Sequence, residues 1–119
     1  MTNEKADERR HPGHPAGPFY ESIYHYELYI FENPRRAETL RDFERANDKT
    51  VAAAEAWATT APAVSAYYLA ASHGFHGRVL AYEKRYRDAI LAARRSLSNA
   101  RRGVELDPAL EDLYLGLGM

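Results

Sequence analysis

The sequence has no cysteine and no long apolar run, and each absence excludes a class of protein. None of its 119 residues is cysteine, so disulfide frameworks, thiol catalysis and thiolate zinc sites are excluded. No run of about 18 apolar residues occurs, so the sequence predicts no transmembrane helix and no membrane partner. The first residues also lack the apolar core of a signal peptide, and we therefore expect a cytoplasmic location.

The charge is almost balanced over the whole chain. Sixteen basic and seventeen acidic residues leave a formal net charge of −1. Overall charge therefore favours neither a nucleic acid nor a membrane surface as the partner.

Residues 1–18, MTNEKADERRHPGHPAGP, differ in composition from the rest. They hold three of the six prolines and two of the seven glycines, and they bury too little apolar surface to offset their ordering entropy. We expect a disordered tail here and a single helical domain over residues 19–119. His11 and His14 could offer imidazoles to a metal, but a flexible arm supplies no group to orient them.

The segment 19–33 is rich in aromatic residues. A first apolar stripe at helical spacing consists of Tyr20, Ile23, Tyr24, Leu28 and Phe31, and Tyr26, Tyr29 and Ile30 broaden it. Alternation also fits part of the segment, so a strand is the minority interpretation. The tyrosines could line a ligand groove, but packing with the hydroxyls at the rim is favoured.

Proline positions and apolar spacing predict three more helices. The second begins at Asn33-Pro34 and runs to about residue 60, the third covers 63–82 and the fourth covers 86–106. In the second helix Asn47 alone interrupts an apolar face that includes Phe43, Val51 and Ala54.

The third and fourth helices have predicted inward faces. In the third we expect Tyr68, Ala71, Phe75, Val79 and Tyr82 inside, and in the fourth Ile90, Ala93, Leu97, Ala100 and Val104. Gly74 and Gly77 would weaken the third helix unless they allow a neighbouring helix to come close, which is the interpretation we favour.

Residues 62–119 resemble a tetratricopeptide repeat. Tyr114-Leu115-Gly116 after Pro108 supply the family's opening aromatic, leucine and glycine, residues 85–90 resemble its interhelical junction, and Glu105-Leu106-Asp107-Pro108 is a typical close. Pro62 and Pro108 lie 46 positions apart (108 − 62), whereas a standard unit has roughly 34 residues. Both helices of this unit would therefore be longer than usual.

The resemblance implies an all-α fold in which antiparallel helical hairpins stack as a superhelical array. Asp107 and Pro108 would cap and open a last helix, from Leu110 to Met119, so that the chain stops inside a repeat. This helix would leave Leu113, Leu115 and Leu117 poorly covered, and we expect self-association or low solubility unless more chain follows.

The resemblance also implies a binding surface. The first helix of each repeat lines a concave, peptide-binding face, which would place Ala66, Leu69, His73 and His76 there. Leu69 and His73 stand where the family's carboxylate clamp has its polar groups, so that clamp is not expected. The implied function is a non-catalytic scaffold that binds a peptide or protein partner, with no cofactor.

Two alternatives use the same helices. His73 and His76 lie one turn apart, as metal ligation needs, but no third ligand accompanies them, and histidines at a polar rim are favoured. Arg94, Arg95, Arg101 and Arg102 could form a stripe that binds anions or nucleic acid. No aromatic residues are interleaved with these arginines, which disfavours base stacking and favours a solvated face.

Overall fold

The computed structural model describes residues 13–31 and 36–111. These residues form four α-helices, α1 (Ala16–Phe31), α2 (Arg36–Trp57), α3 (Pro62–Tyr82) and α4 (Tyr86–Leu106), followed by a 3-10 turn at Pro108–Leu110. The two described ranges contain no strand. The all-α class is therefore confirmed, and so is the helical interpretation of the aromatic segment.

The helix boundaries follow the proline and cap signals. Pro62 occupies the start of α3, where its missing N–H has no helical partner to lose. The Asp107 carboxylate accepts a hydrogen bond from the N–H of Ala109 at 3.1 Å, as the cap prediction required. The Asn33-Pro34 signal and residues beyond 111, including Leu113, Leu115 and Leu117, lie outside the described residues.

Helix α1 begins at Ala16, inside the predicted disordered tail of residues 1–18. The Ala16 N–H donates to His14 Nδ1 at 3.0 Å, and both Pro15 and Ala16 are buried. The predicted tail over residues 1–18 therefore includes residues that are folded. Its proline and glycine content misled the prediction, because both residues are also compatible with a first helical turn. Residues 1–12 are not among those described.

The inward face of α1 also differs from the first predicted stripe. Tyr20, Tyr24 and Phe31 are 50%, 58% and 80% exposed, whereas Phe19 and Tyr29 are buried. Apolar residues occur on almost every side of this helix, so periodicity alone could not select the buried side.

The core joins α1, α2 and α3 through large side chains. Tyr29, Phe43 and Val79 form its buried centre, with Phe43 0% exposed. Tyr26 and Phe75 pack against it with ring centroids 4.9 Å apart. The predicted apolar face of α2 is confirmed at this interface.

Helices α3 and α4 pack closely through small residues. The buried small residues at this contact include Ala70 and Gly77 on α3 and Ala92, Ser96 and Ala100 on α4. A Cβ at Gly77 would lie 3.5 Å from both the Ala89 carbonyl oxygen and the Ala92 Cβ. The close approach predicted for Gly77 is therefore confirmed.

This close approach turns the large residues of α4 outward. Ile90 and Leu97 are 55% and 46% exposed, and Ala93 is exposed as well. The inward face predicted for α4 is wrong at these three positions and holds only at Ala100 and, partly, at Val104. The buried stripe is displaced by about one residue along the helix.

The helices form an open array. Contacts are most extensive between sequence neighbours, first α3 with α4, then α1 with α2, then α2 with α3, while α1 touches α3 only slightly. Helices α1 and α4 share little or no contact, which excludes a closed four-helix bundle in which first and last helices pack together. None of these helices is long and apolar enough to span a membrane.

A polar clamp fastens the ends of three helices. Tyr29 Oη on α1 donates to Glu83 Oε2 just after α3, and Arg36 Nε at the start of α2 donates to the same oxygen at 3.0 Å. The hydrogen bond from Tyr29 lowers the pKa of Glu83, and Arg36 adds to the shift. Burial, followed by this hydrogen bond, raises the pKa of Tyr29.

The turn between α3 and α4 contains a left-handed residue. Lys84 has φ of 61°, and its N–H donates to the Ala81 carbonyl at 3.0 Å while the Arg85 N–H donates to the Leu80 carbonyl at 2.9 Å. These two bonds form a Schellman motif, in which glycine is the usual left-handed residue.

Candidate functional site: a groove between α2, α3 and α4

A groove of about 800 Å³ opens between α2 and α4, with α3 as its floor. The floor carries Leu69, His73 and His76. The α2 wall consists of Asn47, Asp48, Val51, Ala52 and Glu55, and the α4 side of Arg85, Asp88, Leu91, Ala92, Arg95 and Asn99. Apolar and charged side chains are therefore both available to a ligand.

The packing of small residues explains why the groove exists. Ser65 Oγ donates to the Ala54 carbonyl at 2.6 Å and fixes α3 to α2, while Ser96 Oγ donates to the Ala70 carbonyl at 2.7 Å and fixes α4 to α3. Helices α2 and α4 are thus each held against α3 but barely touch one another. The gap between them is the groove.

Two polar atoms at the groove have no hydrogen-bond partner in the described part of the chain. Asn47 is 2% exposed and its Oδ1 is unpaired. His76 Nε2 is also unpaired, since the nearest carboxylate oxygen, Glu44 Oε2, lies 3.7 Å away. A buried polar atom left without a partner costs about 1–3 kcal/mol, so a ligand that supplies one gains affinity.

The imidazole of His73 is held in its neutral form at neutral pH. Burial lowers its pKa below the ordinary value of 6.5, and the positive charge of Arg95 and the neighbouring His76 lower it further. A neutral imidazole offers one donor and one acceptor. It can therefore bind a peptide group without contributing a charge.

The two walls differ in charge. Arg85 and Asp88 pair with each other at 2.7 Å. The other charged residues of the two walls have no ion-pair partner among the described side chains: Asp48 and Glu55 on α2, and Arg95 on α4. The groove thus has an acidic wall and a basic wall. A ligand that carries both signs of charge fits it in one orientation.

The structure brings some predicted site residues together and separates others. Leu69, His73 and His76 all line the groove, but Ala66 is 1% exposed, does not line it and is corrected here to a packing residue. Its position faces the small-residue contact with α4, since it shares that side of α3 with Ala70.

The four predicted arginines do not form one stripe. Arg95 lies in the groove, whereas Arg94, Arg101 and Arg102 surround a shallow pocket elsewhere on α4. Successive residues of a helix are rotated by about 100°. Arg94 and Arg95 therefore point to different sides of the helix.

Sequence reasoning missed the α2 wall. Asn47, Asp48 and Glu55 were assigned to no site, although Asn47 carried a usable signal as the one polar residue on an otherwise apolar face. A polar residue at such a position either finds a partner inside the protein or offers its amide to a ligand.

No protein family matches the chain, and no curated protein or solved structure matches it significantly. Over residues 13–31 and 36–111 no group of three or more histidine, aspartate or glutamate side chains is placed to hold a metal ion.

Proposed function

We propose that this chain is a helical interaction module that holds a peptide segment of a partner protein in the groove between α2, α3 and α4. The observation that carries the proposal is the unpaired Oδ1 of the 2% exposed Asn47 in the wall of a groove that also presents charged side chains. A buried amide without a partner destabilises the free protein and is compensated when a ligand bonds to it.

A peptide supplies the groups that the groove lacks. A backbone N–H or a side-chain donor satisfies Asn47 Oδ1, and apolar side chains pack against Val51, Leu69 and Leu91. The neutral His73 bonds to a backbone group. A basic residue of the peptide pairs with the α2 wall and an acidic residue pairs with Arg95.

The tetratricopeptide-like arrangement belongs to this proposal. It is supported by contacts that follow sequence order and by a proline at the start of α3. The groove differs in one respect from the surface that the resemblance implies. Both of its walls come from the second helix of a hairpin, α2 and α4, and only its floor comes from a first helix, α3. A cytoplasmic location and a non-catalytic role stay predictions.

Selection from a displayed random-peptide library against the full chain tests the proposal. Enriched peptides should share a basic and an acidic residue, and calorimetry should show that Arg95→Glu weakens their binding about tenfold or more. Arg102→Glu, which changes the same charge outside the groove, serves as the matched control and should leave affinity unchanged. Failure to enrich any peptide, or equal loss in both variants, would contradict the proposal.

Asn47→Leu separates binding from folding. The substitution removes the unpaired buried Asn47 Oδ1 at similar side-chain volume, so the free energy of unfolding should rise, by up to about 1–3 kcal/mol. Peptide affinity should fall in the same variant. Thermal unfolding and calorimetry measure the two effects, and a variant that loses stability would show that Asn47 serves the fold instead of the ligand.

A further inference from the structure

The outer face of α4 carries a second set of uncovered side chains. Tyr86, Ile90 and Leu97 are 60%, 55% and 46% exposed. They follow one another at spacings of four and seven residues, which places them on a single stripe of the helix. None of them lines the groove, so this stripe is a separate surface.

Three arginines flank this stripe. Arg94, Arg101 and Arg102 line a shallow pocket of about 560 Å³ together with Leu97, Ser98 and Glu105. None of the three arginines has an ion-pair partner in the part of the chain that the structure describes. Glu105 is the single carboxylate among the pocket residues, so the patch is positive.

We propose that this face of α4 binds an amphipathic helix of a partner protein whose apolar stripe is flanked by acidic residues. Leu97 and Ile90 present apolar contacts at helical spacing, which suits the interlocking of a second helix. The guanidinium groups of Arg94 and Arg101 bind carboxylates in a bidentate manner and fix the orientation of that helix.

The chemistry of the patch favours an acidic helix over a nucleic acid. A phosphate backbone would pair with the arginines but would leave Ile90 and Leu97 against charged oxygens. Tyr86 is an exposed aromatic of the stripe, but it lies about three helical turns before Leu97, and no aromatic side chain lines the pocket around Leu97, so bases would find no series of rings to stack on.

A second copy of the same face is disfavoured by charge. Two such faces packed together would bring arginines opposite arginines, and like charges across an interface are repulsive. The surface therefore fits a partner of opposite charge better than it fits itself.

The chain's lack of cysteine permits a direct test that the face is free. A Leu97→Cys variant carries the only thiol, and its alkylation in the full chain should be within about tenfold of that of an unstructured peptide with the same neighbouring residues, because adjacent arginines change the thiolate content of both. Slow alkylation at all concentrations would mean that the chain's own residues cover the face, and slowing with rising concentration would mean a second copy. Either result would overturn the proposal.

Binding is tested with a labelled synthetic helix. The probe is a peptide of about 18 residues, long enough to form a helix, with leucines on one stripe and glutamates beside it. Fluorescence anisotropy with the full chain should show binding that Leu97→Ser weakens about tenfold and that Arg94→Glu with Arg101→Glu weakens further. Arg95→Glu, a matched charge change inside the groove, should have no effect.

The control ligands decide between an amphipathic helix and a simple anion. A peptide of the same composition in scrambled order should bind at least tenfold more weakly, because it keeps the charge and loses the stripe. Equal binding of the scrambled peptide would overturn the proposal. A short single-stranded DNA is the second control ligand. The proposal would also be overturned if this DNA bound more tightly than the helix, required Arg94 and Arg101, and bound equally well to the Leu97→Ser variant.

Discussion

The two interfaces of α3 are built from opposite kinds of side chain. Towards α1 and α2 it packs large aromatic residues, with Phe75 against Tyr26 and the fully buried Phe43 nearby. Towards α4 it packs alanine, glycine and serine, and a serine hydroxyl bonds to a backbone carbonyl. The first interface gains free energy from buried apolar area, and the second from dense contact between backbones.

This difference determines where free surface remains. An interface of small residues buries little of each helix, so the large residues of α4 stay outside, where Leu91 and Arg95 line the groove and Leu97 lies on the outer face. Helix α1 also keeps exposed rings at Tyr20, Tyr24 and Phe31, but none of them lines the groove or the pocket around Leu97. Helix α4 is therefore the element that carries both proposed surfaces.

The largest effect is expected at the aromatic interface. Phe43→Ala removes a ring that is 0% exposed and leaves a cavity, which should lower the free energy of unfolding by about 3–5 kcal/mol. Urea unfolding measures the loss. Phe31→Ala, at a ring that is 80% exposed, is the control and should change stability by less than about 0.5 kcal/mol; similar losses in both would refute the assigned core.

At the small-residue interface, a side chain added at Gly77 should raise or lower the free energy of unfolding, depending on the size of that side chain. Gly77→Leu forces α3 and α4 apart and should cost about 1–3 kcal/mol or more. Gly77→Ala places its Cβ in ordinary contact at 3.5 Å and should gain about 0.5–1 kcal/mol from helix propensity. Thermal unfolding of the two variants checks that their changes in stability have opposite signs. If neither variant lost stability, the interface would not be closely packed.

A smaller effect than that of Gly77→Leu is expected at the turn between α3 and α4. Lys84→Gly relieves a left-handed backbone conformation at φ of 61° and should stabilise the protein by roughly 1 kcal/mol. Lys84→Ala keeps the unfavourable conformation and should be close to neutral. Chemical denaturation measures both, and an equal gain in the two variants would point to the lost charge instead of the backbone.

The smallest effect is a pH dependence at the groove. The pKa of His73 is lower in the folded chain than its ordinary value of 6.5, so the unfolded chain binds the proton more readily. Stability should therefore be full above about pH 6.5, fall as the pH drops towards the folded pKa, and level off below it. The difference between the wild type and His73→Asn, measured by denaturation across this range, isolates the effect; a difference that grows with rising pH above 7 would contradict it.

The sequence predicted correctly those parts of the fold in which the apolar residues of a helix fall on a single face. Helix α2 has a single apolar face, so Phe43 and Ala54 could be assigned to the interior correctly. The end of α4 and the start of α3 followed from Asp107 and Pro62, which act locally. Such signals need no knowledge of the neighbouring helix.

Elsewhere the outcome depended on tertiary contacts. Helix α4 has two overlapping stripes, one through Ile90 and Leu97 and another through Ala92 and Ser96, and the second is buried because Gly77 and Ala70 let the backbones approach. Periodicity favoured the larger residues and chose wrongly. Leu69, His73 and His76 were placed in the groove by resemblance, but its walls arise from how three helices meet.

The edge-to-face contact of Trp57 with His14, just before α1, gives the protein a built-in optical reporter. Trp57 is the only indole in the chain, and its ring meets the His14 imidazole edge-on at 5.3 Å, just where that imidazole accepts the first helical N–H. Undocking of this first turn would expose the indole to water and shift its emission to the red. Intrinsic fluorescence can therefore follow the seating of the amino-terminal helix without any label.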